Sequence, residues 1–184
     1  MLACHDLRTP LATVHGFAVT LAGMETLEDP AHRYVEMIDS ASVQLAELVD
    51  ELSLAARIEA GRYDPALTEA DTLELAHAAA ARLGEERVVV GGDGARVSID
   101  RDATERAVAA LSRCALRHGG LERVDLTVRG PRLEVAPITP ASAPVVLGQD
   151  LRDLGAAVAG RVLAAQGGSV AVEGETLHVA LAGP

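Results

Sequence analysis

The first residues of the chain contain the group best suited to covalent chemistry, a histidine with an acid beside it. The sequence from position 5 is His5-Asp6-Leu7-Arg8-Thr9-Pro10-Leu11. His5 precedes the apolar Leu7 by two positions, so a helix here turns the imidazole away from its apolar face, where a free ring nitrogen can act as a nucleophile. Asp6 can orient the imidazole or accept its proton, and Thr9, one helical turn later, can orient a water towards a bound phosphorus atom. This order of residues predicts a nucleophilic histidine that its neighbours assist.

Three further residues of this segment have secondary roles in the prediction. Arg8 is predicted to support the site, and Pro10 lacks an N–H, so it kinks the helix one turn after His5 and frees a backbone carbonyl. Cys4 adjoins the histidine, but no other ligand follows at a usable spacing. The sequence therefore predicts no metal site.

Two apolar stripes predict the helices that position the histidine. One helix is expected over residues 1–24 and a second over 30–60, and in both the apolar residues recur at steps of three and four, as in a left-handed helical bundle. The stripe residues are Leu7, Leu11, Val14, Ala18 and Leu21, then Val35, Ile38, Ser42, Leu45, Val49, Leu52 and Ala56. The short segment from Gly23 to Pro30 predicts an antiparallel hairpin, with Asp29-Pro30 opening the second helix and Gly61 closing it.

A two-helix hairpin of this length buries little apolar surface by itself. Small apolar residues also flank the stripes, among them Ala41, Ala46 and Ala55. A second copy of the hairpin would complete a four-helix bundle, so the sequence predicts a homodimer. The alternative, that the C-terminal half of the chain covers the stripe, stays open.

From residue 62 onward the pattern becomes mixed. Helices are expected near 71–83, 101–118 and 148–166, and six strand-like runs lie between and after them: Arg87 to Val90, Val97 to Ile99, Val124 to Val128, Leu133 to Val135, Ser169 to Val172 and Leu177 to Leu181. Short turns between the late strands predict an antiparallel or mixed sheet with helices on one face. The prolines of 136–147 predict a loop without helix, and Gly91 to Gly94 predict a turn. The predicted fold class is α+β: a hairpin domain over 1–62 that forms a dimeric four-helix bundle, then an α/β sandwich over 63–184.

Composition excludes several classes of function. The chain of 184 residues has 16 basic residues, all of them arginine, so chemistry that needs a lysine, such as a P-loop or a Schiff base, is excluded. A net charge of −11 argues against a nucleic-acid surface, since neutralising phosphates needs an excess of cations. Two cysteines make no disulfide framework, and no apolar run is long enough to span a bilayer. These features predict a cytoplasmic protein with protein partners, no nucleic acid and no membrane segment in this chain.

The order His-Asp-Leu-Arg-Thr-Pro-Leu resembles the H-box of the sensor histidine kinases of two-component systems. Residues 45–62 resemble the return helix of the dimerisation and phosphotransfer domain in that family. The resemblance implies that His5 is the phospho-accepting histidine. It also implies that Asp6 assists phosphoryl transfer and that Thr9 supports dephosphorylation of a response regulator.

The second half is similar to the ATP-binding domain of the same family, with its nucleotide-binding residues replaced. Cys114 stands where that family carries the asparagine that holds magnesium, and Ala110 where a second asparagine often lies. No Asp-x-Gly-x-Gly segment follows Val135, the segment that would form the ATP lid is nearly absent, and the glycine-rich stretch keeps only Gly155. A thiol is a poor ligand for magnesium, which prefers oxygen. The resemblance thus implies a degenerate pocket near Cys114 and Gly155, weak or no ATP binding, and no cofactor of its own.

These observations predict a histidine phosphotransfer protein of a two-component phosphorelay. It would pass a phosphoryl group between His5 and an aspartate of a response-regulator receiver domain, with Mg²⁺ supplied by that partner. An upstream kinase is a further expected partner. Two alternatives remain: an ATP-dependent sensor histidine kinase core, and a non-catalytic dimeric regulator that docks a kinase or a response regulator.

Overall fold

The computed structural model describes the backbone of residues 2–23, 29–84 and 86–182, and the side chains of residues 11–23, 31–84 and 86–182. The chain divides into two compact units, Met1–Ala56 and Arg57–Pro184, and the division falls inside the last turns of the second helix. Within the described residues, no helix is both long and apolar enough to cross a bilayer.

The first unit is a pair of antiparallel helices, α1 (Leu2–Ala22) and α2 (Asp29–Glu59). His15 Nδ1 of α1 lies 2.7 Å from Asp39 Oδ1 of α2, and a groove between the helices brings Leu11 close to Val43. Going back from residue 15 to residue 11 in α1 therefore corresponds to going forward from residue 39 to residue 43 in α2, which is the pairing of an antiparallel hairpin. The cap predicted at Asp29 lies outside the described side chains.

Apolar positions of α2 fall into two stripes rather than the single one predicted. In the seven-residue repeats from Val35 to Leu52, the first position is buried inside the hairpin and the fourth is about half exposed. Ala56, at the next first position, is exposed. The buried set is Val35, Ser42 and Val49 (7%, 3% and 7% exposed), and the exposed set is Ile38, Leu45 and Leu52 (47%, 52% and 47%). A single hairpin therefore buries one of the two apolar heptad positions of α2 and leaves the other partly exposed. We call the three partly exposed residues, Ile38, Leu45 and Leu52, the outer stripe.

The end of α2 follows the prediction for Gly61. This glycine has a φ of +61°, and its N–H donates to the carbonyl of Ile58 at 2.9 Å. The N–H of Arg62 donates to the carbonyl of Arg57, also at 2.9 Å. The two bonds form a Schellman motif, which satisfies the last carbonyls of the helix and needs a left-handed residue at this position.

The described residues of the second unit form seven strands and four helices. In chain order they are β1 (Thr68–Asp71), α3 (Thr72–Ala81), β2 (Val88–Gly94), β3 (Arg96–Ile99), α4 (Arg101–Gly119), β4 (Val124–Gly130), β5 (Arg132–Ala136), α5 (Ala143–Val146), α6 (Leu154–Ala165), β6 (Ser169–Glu173) and β7 (Thr176–Ala180). Five strands form a mixed sheet in the order β2-β4-β5-β7-β6, in which only the β2–β4 pair is parallel. The mixed sheet predicted from the sequence is confirmed.

Burial alternates along the central strands of the sheet. Val124, Leu126 and Val128 of β4 are at most 1% exposed, while at the alternate positions Asp125 and Arg129 are exposed and Thr127 is half-buried. This alternation places one face of the sheet against the helices, of which α3, α4 and α6 all contact strands.

Four details differ from the prediction. Gly91 to Gly94 do not form a turn but continue β2, where a Cβ at Gly92 would collide with the carbonyl of Val128, so glycine is needed for the backbones to approach. Strand β1 was not predicted, because its polar residues show no alternation and its shape comes from pairing with β3. The segment 136–147 contains the short helix α5, since a proline is tolerated in a first helical turn. Helix α6 begins at Leu154 rather than at 148, because Asp153 caps it.

Helices α4 and α6 run antiparallel and are joined by polar side chains at both ends. The Gln166 side-chain oxygen accepts from the N–H of Asp100 at 2.8 Å and from the Thr104 hydroxyl at 3.2 Å. At the opposite ends of the helices, His118 Nε2 lies 3.3 Å from Asp153 Oδ2. These contacts hold the two helices together at both ends.

Candidate functional site

The predicted phosphotransfer residues all lie in the first half of α1. The helix is continuous from Leu2 to Ala22 and includes Pro10. Positions 5 and 9 are therefore one turn apart on the same face, as predicted for a histidine and its assisting threonine. The side chains of the five predicted residues, His5, Asp6, Arg8, Thr9 and Pro10, lie outside the described residues. Their roles remain predictions.

The next turns of α1 are held against α2 by described side chains. His15 contacts Asp39, and Leu11 and Ala12 line a groove with Ser42 and Val43 of the facing helix. Ser42 donates its hydroxyl proton to the carbonyl of Ile38 at 2.7 Å, so this buried polar group is satisfied within α2. The helix that carries the predicted nucleophile is therefore packed along a facing partner helix.

A second cluster of reactive side chains lies between α4 and α6. Cys114 and His118 are one turn apart on α4, and Asp153 is the residue that caps α6. A ligand atom from each of the three lies within 4.8 Å of the others. Cys114 is fully buried, and the side chains of His118 and Asp153 are 15% and 11% exposed.

The electrostatics of this cluster keep the thiol protonated. Burial, followed by the charge of Asp153 and a hydrogen bond to it, raises the pKa of Cys114 to about 12. The other carboxylate oxygen of Asp153 accepts from the N–H of Ala156 at 3.1 Å. A helix N-terminus attracts anions, and here a protein carboxylate already occupies it.

The segment that joins β5 to α6 is packed into the same region. Ile138, Ser142, Val145 and Val146 are each at most 2% exposed, and α5 contacts both α4 and α6. A Cβ added to Gly148, which has a φ of +65°, would lie 3.2 Å from the Cα of Ala157. The segment therefore lies directly against α6 with its apolar side chains inward.

The two residues that the sequence placed at the degenerate pocket lie on the facing helices α4 and α6, where Cys114 is close to Asp153, two residues before Gly155. Cys114 is buried in α4 and Gly155 is buried in the first turn of α6. Sequence reasoning missed His118 and Asp153 as their neighbours. The four-residue spacing of Cys114 and His118 on a predicted helix was the available signal, since it places both on one face.

Comparisons with known proteins agree with the arrangement of a helical hairpin followed by a sheet-based unit. The family model for the His Kinase A (phospho-acceptor) domain matches residues 3–61. An uncharacterised sensor-like histidine kinase of Rhizobium meliloti is 29% identical over 145 residues, which cover 71% of this chain and 28% of that protein. The probable sensor histidine kinase TcrY of Mycobacterium tuberculosis is 30% identical over 107 residues, which cover 52% of this chain and 22% of that protein. The chain thus spans about a quarter of the length of these relatives.

Experimental structures of similar fold include histidine kinases. Full-length ShkA in complex with AMPPNP has a TM-score of 0.70 and 21% identity, over 100% of this chain and 46% of that one. The histidine kinase AdeS of Acinetobacter baumannii has a TM-score of 0.59 and 18% identity, over 96% of this chain and 98% of that one. With the phospho-acceptor match over residues 3–61 and the two histidine kinase relatives, these structures show that the chain is similar in sequence and in fold to two-component sensor histidine kinases.

Proposed function

We propose that this chain is a histidine phosphotransfer protein, which exchanges a phosphoryl group between His5 and an aspartate of a response-regulator receiver domain. The observation that carries the proposal is the carboxylate of Asp153 at the N-terminus of α6, beside the buried thiol of Cys114. In the ATP-binding domain that the second half of the sequence resembles, this region binds the phosphates and magnesium of ATP. The Asp153 carboxylate occupies the helix N-terminus where phosphate oxygens would bind, and a thiol is a poor ligand for magnesium, while the H-box keeps all its residues.

For the transfer itself, the chain has little to contribute beyond the positioning of His5. A ring nitrogen of His5 attacks the phosphorus of the aspartyl phosphate in line, the bond from phosphorus to the carboxylate oxygen breaks, and the free aspartate leaves. The reverse reaction runs from phosphohistidine to aspartate. Mg²⁺ bound by the receiver domain would neutralise the phosphoryl oxygens, so most of the electrostatic stabilisation comes from the partner.

The neighbours of His5 divide the remaining work. Asp6 orients the imidazole and accepts its proton, so it affects the rate of transfer without being the nucleophile. Thr9, on the same face one turn later, positions a water for hydrolysis of the phosphate on the regulator. Arg8 and Pro10 support the site, Pro10 through the backbone carbonyl that its missing N–H frees.

The expected loss of ATP affinity follows from the replaced residues. Two polar anchors, the magnesium-holding asparagine and the aspartate that contacts adenine, are absent from their expected places at Cys114 and after Val135. At about 1.5–3 kcal/mol for each charge-assisted contact, the two account for a loss of roughly 10²- to 10⁴-fold in affinity. A micromolar dissociation constant would rise to about 0.1 mM or more, even before the repulsion of the triphosphate by Asp153 is counted.

A homodimer is part of this proposal. The outer stripe on α2 presents three large apolar side chains, each about half exposed, at seven-residue intervals. This is the spacing with which a helix packs against a partner in a four-helix bundle, so a second copy of the hairpin is the occupant that matches it.

An ATP-dependent histidine kinase is the second candidate. It is favoured by the retained framework of the second unit, whose fold matches full-length ShkA, a protein studied with AMPPNP. A third candidate is a dimeric regulator that docks a kinase or regulator without phosphoryl chemistry. The three functions differ in whether the chain receives labelled phosphate from a receiver domain, from ATP or from neither donor.

The deciding experiment follows ³²P onto the protein from two donors. The purified chain is incubated with [γ-³²P]ATP and Mg²⁺, and separately with ³²P-labelled receiver domains from the same organism. We expect label from at least one receiver domain on the wild type, none on His5→Gln, and no label from ATP. His32→Gln, an exposed histidine of α2, is the matched control and should label normally.

The other outcomes identify the alternatives. Label from ATP on His5 would replace the proposal with an active kinase. Label from no donor would contradict phosphotransfer and favour the docking regulator. Transfer that persists in His5→Gln would show that the H-box is inherited without its function.

A further inference from the structure

The cluster between α4 and α6 has the composition of a metal site that the family resemblance does not include. We propose that Cys114, His118 and Asp153 together bind one Zn²⁺ ion. This site is independent of the role of His5 and lies entirely within the second unit.

The geometry is close to that of three corners of a tetrahedron. Zinc bonds of about 2.0–2.1 Å to nitrogen and oxygen place those two ligand atoms about 3.3 Å apart. His118 Nε2 and Asp153 Oδ2 are 3.3 Å apart. Tetrahedral geometry sets the distance from sulfur to either atom at about 3.6 Å, and all three atoms already lie within 4.8 Å. Zinc binding would therefore need the Cys114 sulfur to move from its present position, within 4.8 Å of both atoms, to about 3.6 Å from each.

The ligands also balance the charge of the ion. One thiolate and one carboxylate neutralise Zn²⁺, and a neutral imidazole adds none. Binding replaces the S–H bond of Cys114 with an S–Zn bond and releases one proton to solvent. The neutral ring of His118 moves its proton from Nε2 to Nδ1, so that Nε2 can bind the ion in place of its contact with Asp153, and Asp153 binds as the carboxylate. A buried cation thus gains compensating charge, and the Asp153 carboxylate gains a full countercharge beyond the N–H of Ala156 that it already accepts.

The supporting contacts orient the ligands. The N–H of Ala156 holds one oxygen of Asp153 at 3.1 Å and leaves the other directed at His118. Such contacts to the second oxygen of a ligating carboxylate are typical of metal sites. His118 and Asp153 are partly exposed, so solvent reaches the fourth position, which a water or an exogenous ligand would occupy.

Magnesium does not suit this set of ligands. It prefers oxygen donors in octahedral geometry, whereas this cluster offers sulfur, nitrogen and a single carboxylate. The same place in the fold would therefore select a transition metal and exclude the ion that accompanies ATP.

The test uses Co²⁺ as a spectroscopic substitute for zinc in the chain of 184 residues. Cys4→Ser is introduced first, so that Cys114 is the only thiol. We expect one Co²⁺ per chain, with a sulfur-to-cobalt charge-transfer band that added Zn²⁺ removes and excess Mg²⁺ does not. Asp153→Asn should weaken Zn²⁺ binding at least ~10-fold and Cys114→Ser at least ~100-fold.

The variants are chosen so that misfolding does not confuse the result. Asparagine caps helices as well as aspartate, so Asp153→Asn keeps the start of α6. His178→Gln is the matched control, because His178 lies 3.6 Å from Glu134 without a thiol nearby, and it should bind metal normally. Absence of the charge-transfer band, or equal affinity in the wild type and Asp153→Asn, would overturn the proposal.

Discussion

Replacing Leu45 with aspartate tests whether the outer stripe joins two hairpins. Leu45 is the central residue of the stripe and is 52% exposed. Full burial of a leucine side chain contributes about 1.5–3 kcal/mol, so covering the exposed half contributes about 0.8–1.5 kcal/mol per subunit, or about 1.5–3 kcal/mol per dimer. Each buried aspartate without a partner adds about 1–3 kcal/mol of desolvation cost. A loss of about 4 kcal/mol or more corresponds to a dissociation constant at least ~10³-fold weaker.

Sedimentation equilibrium over a range of protein concentrations measures this constant directly. We expect the wild type to be a dimer at micromolar concentration and Leu45→Asp to be a monomer there. Leu67→Asp is the matched control, because Leu67 is equally exposed at 53% but precedes β1 in the second unit. A monomeric wild type, or a Leu45→Asp dimer of unchanged affinity, would refute the argument from heptad positions.

Three other predictions concern single side chains. Burial, with the charge and hydrogen bond of Asp100, raises the pKa of Tyr63 from 10.0 to about 12, so the folded state holds this proton more tightly and loses stability as the pH rises from 10 towards 12. Urea titrations should show a steeper loss there for the wild type than for Tyr63→Phe, and equal slopes would count against it. In metal-free Cys4→Ser protein, the Cys114 thiol should react with a disulfide reagent only after unfolding, since it is fully buried and its pKa is raised to about 12; rapid labelling of the native protein would contradict this. Gly92→Ala should lower the free energy of unfolding by roughly 2 kcal/mol or more, because the φ of +104° and the carbonyl of Val128 both oppose a Cβ. Gly160→Ala serves as its control, since a Cβ there meets nothing within 4 Å.

Local patterns in the sequence predicted the elements that depend on local physics. The three- and four-residue steps of the stripes gave both helices of the hairpin, and Gly61 gave the end of α2 because only its backbone conformation was needed. Strand β1 was missed because its shape depends on β3, a partner about 30 residues later. The contact of His118 with Asp153 was missed for the same reason, since 35 residues separate them and only the packing of α4 on α6 brings them together.

The predicted phosphotransfer residues are the opposite case. Their order along seven consecutive positions is itself the signal, so the prediction that His5 is the nucleophile needs no tertiary information. The division of the outer stripe from the buried one needed the structure, because Val35 and Ile38 are equally apolar in sequence and differ only in what faces them.

The polar contacts at both ends of the α4–α6 pair have a consequence for hydrogen exchange. Helix ends usually open first, because their amides lack partners and their residues fray independently of the core. Here Gln166 holds the first turn of α4, and Asp153 holds the last turn through His118. The terminal amides of α4 should therefore exchange at rates close to those of its centre, as part of one cooperative opening that includes α6. An event that loosens either end would then be transmitted along about 27 Å, the length of a 19-residue helix, to the other.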